Sequence, residues 1–277
     1  MTKTHDNQSP FRVTLNHFYL TVDAETYAAI ESSEFLRREF APFEQRTTVR
    51  TDQTYTGIYF YASNTYFEFF NATQSAEHKL GDSGLAFGVE QIDAVKFLEQ
   101  RLGIAPARLV TRGYKDKQIP WFYMLSLGPF PENSAIKAWV MEYHAQFLAE
   151  WNPSDKKHQG IQRKQILSRY IAVLSNTPAQ PIVTDLSGLT LAVDHASAAT
   201  LRLVCEKFGY QSAVQGEEVV LTSPDFVLRL IPERSSDRGI KRVEFRINRM
   251  PAEQREIFFG PNTTLRFEND ELAVWTF

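Results

Sequence analysis

The sequence predicts an α+β fold in which a strand–helix–three-strand unit is repeated, twice at full size and twice in a smaller form. Three observations carry this prediction. Residues 15–23 alternate on a period of two and run directly into a helical pattern. A comparable order of elements starts again near residues 84, 186 and 240. Aromatic residues make up 13% of the 277 residues, which is typical of β-rich folds and ring-lined cavities.

The first unit contains the strand whose alternation orients the candidate site residues His17 and Tyr19. In its opening strand, Phe18, Leu20 and Val22 point to one side, and His17, Tyr19 and Thr21 point to the other. If the following helix covers the apolar side, His17 and Tyr19 face the concave side of the sheet. The predicted elements are the strand Arg12–Val22, the helix Ala24–Phe40 and the strands Phe43–Arg50, Tyr55–Ala62 and Tyr66–Asn71.

The second unit repeats this order, and a break in the pattern follows it. Its predicted elements are the strand Gly84–Glu90, the helix Gln91–Leu102 and the strands Ala107–Arg112, Trp121–Leu127 and Ile136–Phe147. The break contains a predicted helix over Gln162–Asn176, which Pro178 and Pro181 end. We therefore expect an N-terminal domain over 11–150, a helical connector over 151–181 and a C-terminal domain over 182–277.

The C-terminal domain is predicted to hold two smaller copies. The third unit comprises the strand Leu186–Asp194, the helix Ala196–Gly209 and the strands Tyr210–Gln215, Glu218–Thr222 and Phe226–Pro232. The fourth comprises the strand Ile240–Ile247, a short helix over Pro251–Phe259 and a hairpin of Thr264–Phe267 and Glu271–Phe277.

Composition narrows the classes of function. A formal net charge of −3 gives no electrostatic footprint for nucleic acid or for an anionic membrane. The single cysteine, Cys205, excludes an intramolecular disulfide and a cysteine-built zinc site. Residues 1–10 are polar, and no apolar run is long enough to span a bilayer. We expect a cytoplasmic protein, a monomer or a homodimer, whose partner is a small molecule.

Four such units taken in pairs resemble the vicinal oxygen chelate superfamily, which includes glyoxalase I, extradiol dioxygenases and bleomycin-resistance proteins. Leu15–Asp23, with the sequence L-N-H-F-Y-L-T-V-D, is similar to the family's opening strand. Tyr66–Phe70 is similar to its fourth strand, which has a central glutamate. The resemblance implies that paired units form half-open β cups around a ligand or a metal, with the C-terminal pair reduced.

The resemblance also implies a set of metal ligands from the first and fourth strands of two paired units. Carried over to this chain, it gives His17 and Glu68 from the first unit and Glu142 from the second, with His144 as an extra ligand or general base. Glu142 and His144 are thereby the catalytic candidates. Imidazole and carboxylate ligands suit a divalent metal such as Fe, Mn, Ni, Co or Zn. Tyr19, Tyr66 and Tyr123 are expected to line the substrate pocket.

Two features leave alternatives open. Gly84 stands where the second unit would supply a histidine, and Glu68 could instead form an ion pair with Arg46 or Arg50. The leading hypothesis is a glyoxalase-like, metal-dependent lyase, isomerase or oxygenase that acts on a small molecule in the N-terminal cup. The alternative is a metal-free protein of the same fold that binds a small molecule. A third interpretation, a scaffold for a protein partner, is favoured if the cup is filled by its own side chains.

Overall fold

The computed structural model describes residues 11–74, 79–151, 160–175, 177–234 and 237–277. These residues form two eight-stranded sheets with short helices, which confirms the predicted α+β class. Residues 152–159 and 176 of the predicted connector, and the polar residues 1–10, lie outside the described part. No helix within the described ranges has the length and apolar character needed to cross a membrane.

The N-terminal sheet is built from two modules whose first strands lie side by side at its centre, in the order β2-β3-β4-β1-β5-β8-β7-β6. Module 1 contains β1 (Val13–Val22), α1 (Ala24–Ser32), β2 (Phe43–Val49), β3 (Thr54–Tyr61) and β4 (Tyr66–Asn71). Module 2 contains β5 (Ser83–Val89), α2 (Ala94–Leu102), β6 (Arg108–Tyr114), β7 (Lys117–Leu127) and β8 (Ile136–Tyr143).

The first helix is shorter than predicted. Ser33 adopts an extended conformation that ends α1, and its hydroxyl accepts a hydrogen bond from the amide of Leu36. Residues Leu36–Phe40 then form a separate π-helical turn. A serine that caps a new turn competes with continuation of the preceding helix, which the apolar spacing alone does not reveal.

The two edges of the N-terminal sheet meet, so the sheet nearly closes into a barrel. Arg50, just after β2, forms an antiparallel bridge with Arg112 in β6. The Thr111 hydroxyl donates to the hydroxyl of Thr51 across the same seam. Closure of this kind protects edge strands and encloses the concave face.

The C-terminal sheet has the matching order β10-β11-β12-β9-β13-β16-β15-β14. Module 3 contains β9 (Val183–Val193), α5 (His195–Lys207), β10 (Gln211–Gln215), β11 (Glu218–Thr222) and β12 (Val227–Pro232). Module 4 contains only strands, namely β13 (Gly239–Ile247), β14 (Glu256–Phe258), β15 (Thr264–Asn269) and β16 (Leu272–Thr276).

The predicted helix over Pro251–Phe259 is therefore wrong. Ile257 pairs with Leu265, so Glu256–Phe258 forms an edge strand instead. Without a crossover helix, β13 and β16 run antiparallel, whereas the corresponding strands β5 and β8 of module 2 run parallel. The hydrogen bonds of this short segment to β15 therefore decide its conformation, although its apolar residues are spaced as in a helix.

The two sheets share one apolar core. Phe67 stacks against Phe60 and lies 5.2 Å from Phe245 of the C-terminal sheet, measured between ring centroids. Trp275 is fully buried and contacts Phe40 and Phe69. The apolar faces of both sheets are therefore turned toward each other, and the opposite face of the N-terminal sheet is left to form a cup.

The connector fills one end of this cup. After β8 the chain forms α3 (Ala145–Glu150), and α4 (Arg163–Ala172) follows later. The predicted strand Ile136–Phe147 ends early because His144 caps α3, accepting a hydrogen bond from the amide of Gln146. Tyr170 of α4 stacks on Tyr61, and Trp151 packs against Tyr170. The connector is thus part of the N-terminal core, not a simple linker.

One arginine ties the connector to both sheets. Arg163 is buried; its Nη1 donates to the carbonyl of Leu15 and its Nη2 to Asp225, a residue between β11 and β12. Its backbone amide and Nε donate to the carboxylate of Glu90. A guanidinium with this many directed partners fixes the position of α4 against the cup.

The carboxylate of Glu142 supports the start of α2. It accepts hydrogen bonds from the backbone amides of Asp93 and Val95, both at 2.9 Å. These amides have no partner within the helix, and a negative charge at a helix N-terminus is stabilising. Glu142 therefore lies on the helix-covered face of β8, away from the cup.

We expect Arg163→Ala to lower the free energy of unfolding by about 3 kcal/mol, because it leaves the Glu90 and Asp225 carboxylates without their buried partner. The control is Arg202→Ala, which removes an exposed pair with Glu206 on one helix and should cost about 0.5 kcal/mol or less. Urea unfolding measures both. Equal effects of the two substitutions would contradict the proposed role of Arg163.

We expect Glu142→Gln to lower the free energy of unfolding by about 1 kcal/mol, since the amide group keeps only one acceptor for the two α2 amides. Hydrogen exchange should accelerate at Asp93 and Val95. If Glu142 were instead a metal ligand, the substitution would change metal content and leave exchange in α2 as it is.

Candidate functional site

The concave face of the N-terminal sheet encloses a cavity of about 330 Å³, within the size range of small-molecule sites. Both modules contribute to its wall. Many of its lining side chains are aromatic, namely Tyr19, Tyr55, Tyr66, Phe70, Trp121, Phe122, Phe130 and Trp139. The predicted pocket residues Tyr19 and Tyr66 are therefore both found at the cavity.

A β-bulge in the central strand positions His17. Leu15 pairs with Phe87 and His17 with Ala86, so Asn16 is an extra residue on β1. The Oδ1 atom of Asn16 lies 2.9 Å from Nδ1 of His17 and accepts a hydrogen bond from it. The Nε2 atom, which is therefore unprotonated in the neutral ring, points toward Glu68. The imidazole stacks on Tyr66, with ring centroids 4.3 Å apart, and meets the edge of Trp139.

Glu68 lies beside His17, as the sequence predicts. Its Oε1 atom is 3.8 Å from Nε2 of His17, which is longer than a hydrogen bond. Both side chains are less than a tenth exposed. The structure thus brings together the two predicted site residues of module 1 and leaves a gap between them.

Burial acts on the two groups in opposite directions. Desolvation lowers the pKa of His17 to about 3 and raises the pKa of Glu68 to about 8. The nearby charges of Arg46 and Arg50 act to lower the Glu68 pKa, but desolvation is the larger effect. At neutral pH the pair is a neutral imidazole beside a protonated carboxyl group, not an ion pair.

The proposed alternative partners of Glu68 are engaged elsewhere. Arg46 forms an ion pair with Glu44 at 3.0 Å and lies over the ring of Tyr59. Arg50 binds Asp52 through two hydrogen bonds. Among the described residues, neither arginine comes within 4 Å of the Glu68 carboxylate.

Module 2 presents different chemistry at the corresponding positions. In module 1, His17 lies opposite Tyr66 and Tyr19 lies opposite Glu68. In module 2, Gly84 lies opposite Lys137 and Ala86 lies opposite Trp139. With Gly84 as the counterpart of His17, the counterpart of Glu68 is therefore Trp139. A Cβ atom on Gly84 would overlap the ring of Tyr19, so that ring occupies the space of a second histidine.

Three predicted site residues are not at the cavity. Glu142 lies on the opposite face of β8 and binds the α2 amides, and His144 lies beyond the end of β8 as the cap of α3. Tyr123 pairs with Glu142 on that same opposite face and is 37% exposed. The prediction that Glu142 and His144 share a strand face with the cup fails because Trp139 and Met141 line the cavity, which turns Glu142 outward.

This donor set does not fit a metal centre of the expected kind. His17 and Glu68 are two ligands from one module, and the other two positions hold Gly84 and Trp139. Three or more protein ligands are usual for a catalytic divalent metal. Among the described residues, no group of three or more His, Cys, Asp or Glu side chains is placed to hold a metal ion.

Sequence reasoning missed most of the polar mouth of the cavity. Arg50, Asp52, Arg108 and Lys137 line it together with Gln53. Arg108 Nη1 donates to Asp52 Oδ2 at 2.8 Å across the seam between the sheet edges. No local sequence motif indicates that Arg108 lines the cavity, because only closure of the barrel brings β6 next to the turn after β2.

The C-terminal sheet holds charged side chains at the matching positions. Arg229 lies opposite Thr190 in β9, as Glu68 lies opposite Tyr19. It forms ion pairs with Glu218 and Glu244. A Cβ atom on Gly188 would meet Glu244 at 2.8 Å, so these side chains fill the space near β9 themselves.

Solved structures similar to this chain share its fold at low sequence identity. A xylose isomerase-like TIM barrel/4-hydroxyphenylpyruvate dioxygenase fusion protein matches with 13% identity and a TM-score of 0.50, over 88% of this chain and 38% of that one. An extradiol ring-cleaving dioxygenase from B. fuscum matches with 13% identity and a TM-score of 0.41, over 98% and 74%. A hypothetical protein from Staphylococcus aureus matches with 12% identity and a TM-score of 0.48, over 80% and 86%.

The likeness to the fusion protein is one of fold and says nothing of the chemistry of this site. A search of curated proteins finds no match to the sequence. A family model matches residues 15–277, which is nearly the whole chain. The chain therefore belongs to the family described as a family of unknown function, DUF5829.

Proposed function

We propose that the N-terminal cup binds a small planar molecule without a metal ion, and that a polar group of this molecule hydrogen-bonds to both His17 and Glu68 from the cavity. The observation that carries the proposal is that these two side chains lie 3.8 Å apart, too far to bond to each other, inside an aromatic cavity. Aromatic walls with a few converging polar groups are the usual composition of a small-molecule site.

The pair offers complementary hydrogen bonds to a ligand. The protonated carboxyl group of Glu68 donates, and the unprotonated Nε2 atom of His17 accepts. A hydroxyl group on the ligand can therefore accept from Glu68 and donate to His17 at once. Glu68 is hydrogen-bonded to Tyr66 and His17 Nδ1 to Asn16, so the ligand hydroxyl adds a partner to each buried group without competing with a bond between the two.

A metal-dependent lyase, isomerase or oxygenase, as expected from the resemblance, is the less favoured function. It requires ligands from both modules, and module 2 presents Gly84 beneath the Tyr19 ring and Trp139 in place of a glutamate. The drug-sequestering members of the resembling superfamily provide the better analogy, since they use the cup for binding alone.

We expect 2-naphthol to bind the protein in the presence of EDTA, with a stoichiometry of one, as measured by isothermal titration calorimetry. Ser126→Trp should abolish binding because Ser126 lines the cavity and the larger side chain fills its space. Thr222→Trp on the exposed face of β11 is the matched control and should bind normally. Binding that appears only after a divalent metal is added, or that survives Ser126→Trp, would contradict the proposal.

The pH dependence of stability should report the protonation of Glu68. Between pH 4.5 and about 8 the folded protein keeps a proton on Glu68 that the unfolded chain has released, so stability falls as pH rises. In Glu68→Gln this loss is absent. The stability of the variant relative to the wild type should therefore rise by about 1.4 kcal/mol per pH unit across this window.

Urea unfolding at a series of pH values measures this difference. His17 contributes the opposite slope between about pH 3 and 6.5, and it cancels when the variant is compared with the wild type. Glu217→Gln, at an exposed side chain, is the control and should show no such rise. Absence of the rise for Glu68→Gln as well would show that Glu68 is ionised in the folded protein.

A further inference from the structure

We infer that the ligand of the N-terminal cup carries an anionic group, which Arg50 and Arg108 bind at the mouth of the cavity in the place now taken by the Asp52 carboxylate. This inference rests on the proposed function and specifies the class of ligand. The observation behind it is the contact of Arg50, Asp52 and Arg108 where the two edges of the N-terminal sheet meet.

Asp52 is held as a bound carboxylate would be. Arg50 donates to it from Nε at 2.8 Å and from Nη2 at 2.7 Å, which is the two-pronged geometry that guanidinium groups use for carboxylates. Arg108 adds a third hydrogen bond from the opposite edge of the sheet. The two arginines therefore form a preassembled anion site that is closed by a side chain of the same protein.

The strand register places this site at the opposite end of the cavity from the connector. Strand β3 runs from one end of the cavity to the other. It starts next to the turn that contains Asp52, and Tyr61 at its far end packs against the connector. Lys137 lies opposite Gly84, near the same end as Arg50. A ligand whose ring contacts His17 and Glu68 would thus extend its other end toward the arginines.

Charge at the mouth favours an anion. The cavity-lining residues there include three cations, Arg50, Arg108 and Lys137, against the single carboxylate of Asp52. The Arg50 side chain is only 8% exposed, so its charge acts in a poorly solvated environment. Desolvation raises the pKa values of both Tyr55 and Glu68, and the positive charge of Arg50 opposes that rise at both groups.

Exchange of Asp52 for a ligand is structurally accessible. Asp52 is 38% exposed and lies in the turn of residues 50–53 between β2 and β3. Moving its side chain into water requires no change in the sheet. The displaced carboxylate is resolvated while the ligand's anionic group takes over the hydrogen bonds of Arg50 and Arg108.

The test compares 2-naphthoate with the neutral 2-naphthamide by isothermal titration calorimetry at low salt. The wild type should bind the carboxylate at least tenfold more tightly. Arg108→Met should bring the two affinities within about twofold of each other, and Asp52→Asn should tighten naphthoate binding about threefold or more while leaving naphthamide unchanged. Arg266→Met, which breaks the exposed pair with Glu256, is the control and should preserve the wild-type preference.

The outcomes separate this inference from the proposed function. Equal binding of both probes to the wild type, or a preference for naphthoate that survives Arg108→Met, overturns the anion site and leaves the cavity as a neutral binding site. Weaker naphthoate binding in Asp52→Asn also overturns it. Failure of both probes to bind while 2-naphthol still binds overturns this inference alone. Failure of all three compounds to bind overturns the proposed function as well.

Discussion

Burial of β1 on both faces is the constraint on which the rest of the structure depends. All ten residues of this strand are buried, Phe18 and Leu20 in the core between the sheets and His17 and Tyr19 toward the cup. A strand in this position can carry polar side chains only on the face that borders a cavity. The connector fills one end of the cup. His17 and Glu68 border the space that remains, close to each other but too far apart for a hydrogen bond.

The electrostatics of the cup follow from this burial. With few compensating charges within reach, the imidazole is favoured in its neutral form and the carboxyl group in its protonated form. A divalent metal would reverse both preferences, but module 2 supplies aromatic and glycine residues at the positions that would complete its ligands. A shaped, aromatic cavity can thus exist in this fold beside an incomplete set of metal ligands, because fold and site chemistry are separable.

Much of the fold and half of the candidate ligand set could be predicted from the sequence. Period-two alternation correctly oriented His17 and Tyr19, and the repeated order of elements gave the two sheets. The prediction for Glu142 failed because its neighbours Met141 and Tyr143 do not reveal the strand register, and a shift of an odd number of residues moves a side chain to the other face. Arg108 and Asp52 meet only because the sheet closes, and no local pattern encodes that long-range contact.

The central claim is that His17 and Glu68 form a neutral, metal-free pair inside the cup. The most direct measurement is the ¹⁵N chemical shift of the His17 imidazole at pH 6, assigned with His17→Gln and recorded before and after addition of stoichiometric Zn²⁺. We expect a neutral ring protonated at Nδ1, with shifts that Zn²⁺ leaves unchanged. An imidazolium ring at this pH, or a Zn²⁺-dependent shift of Nε2, would contradict it.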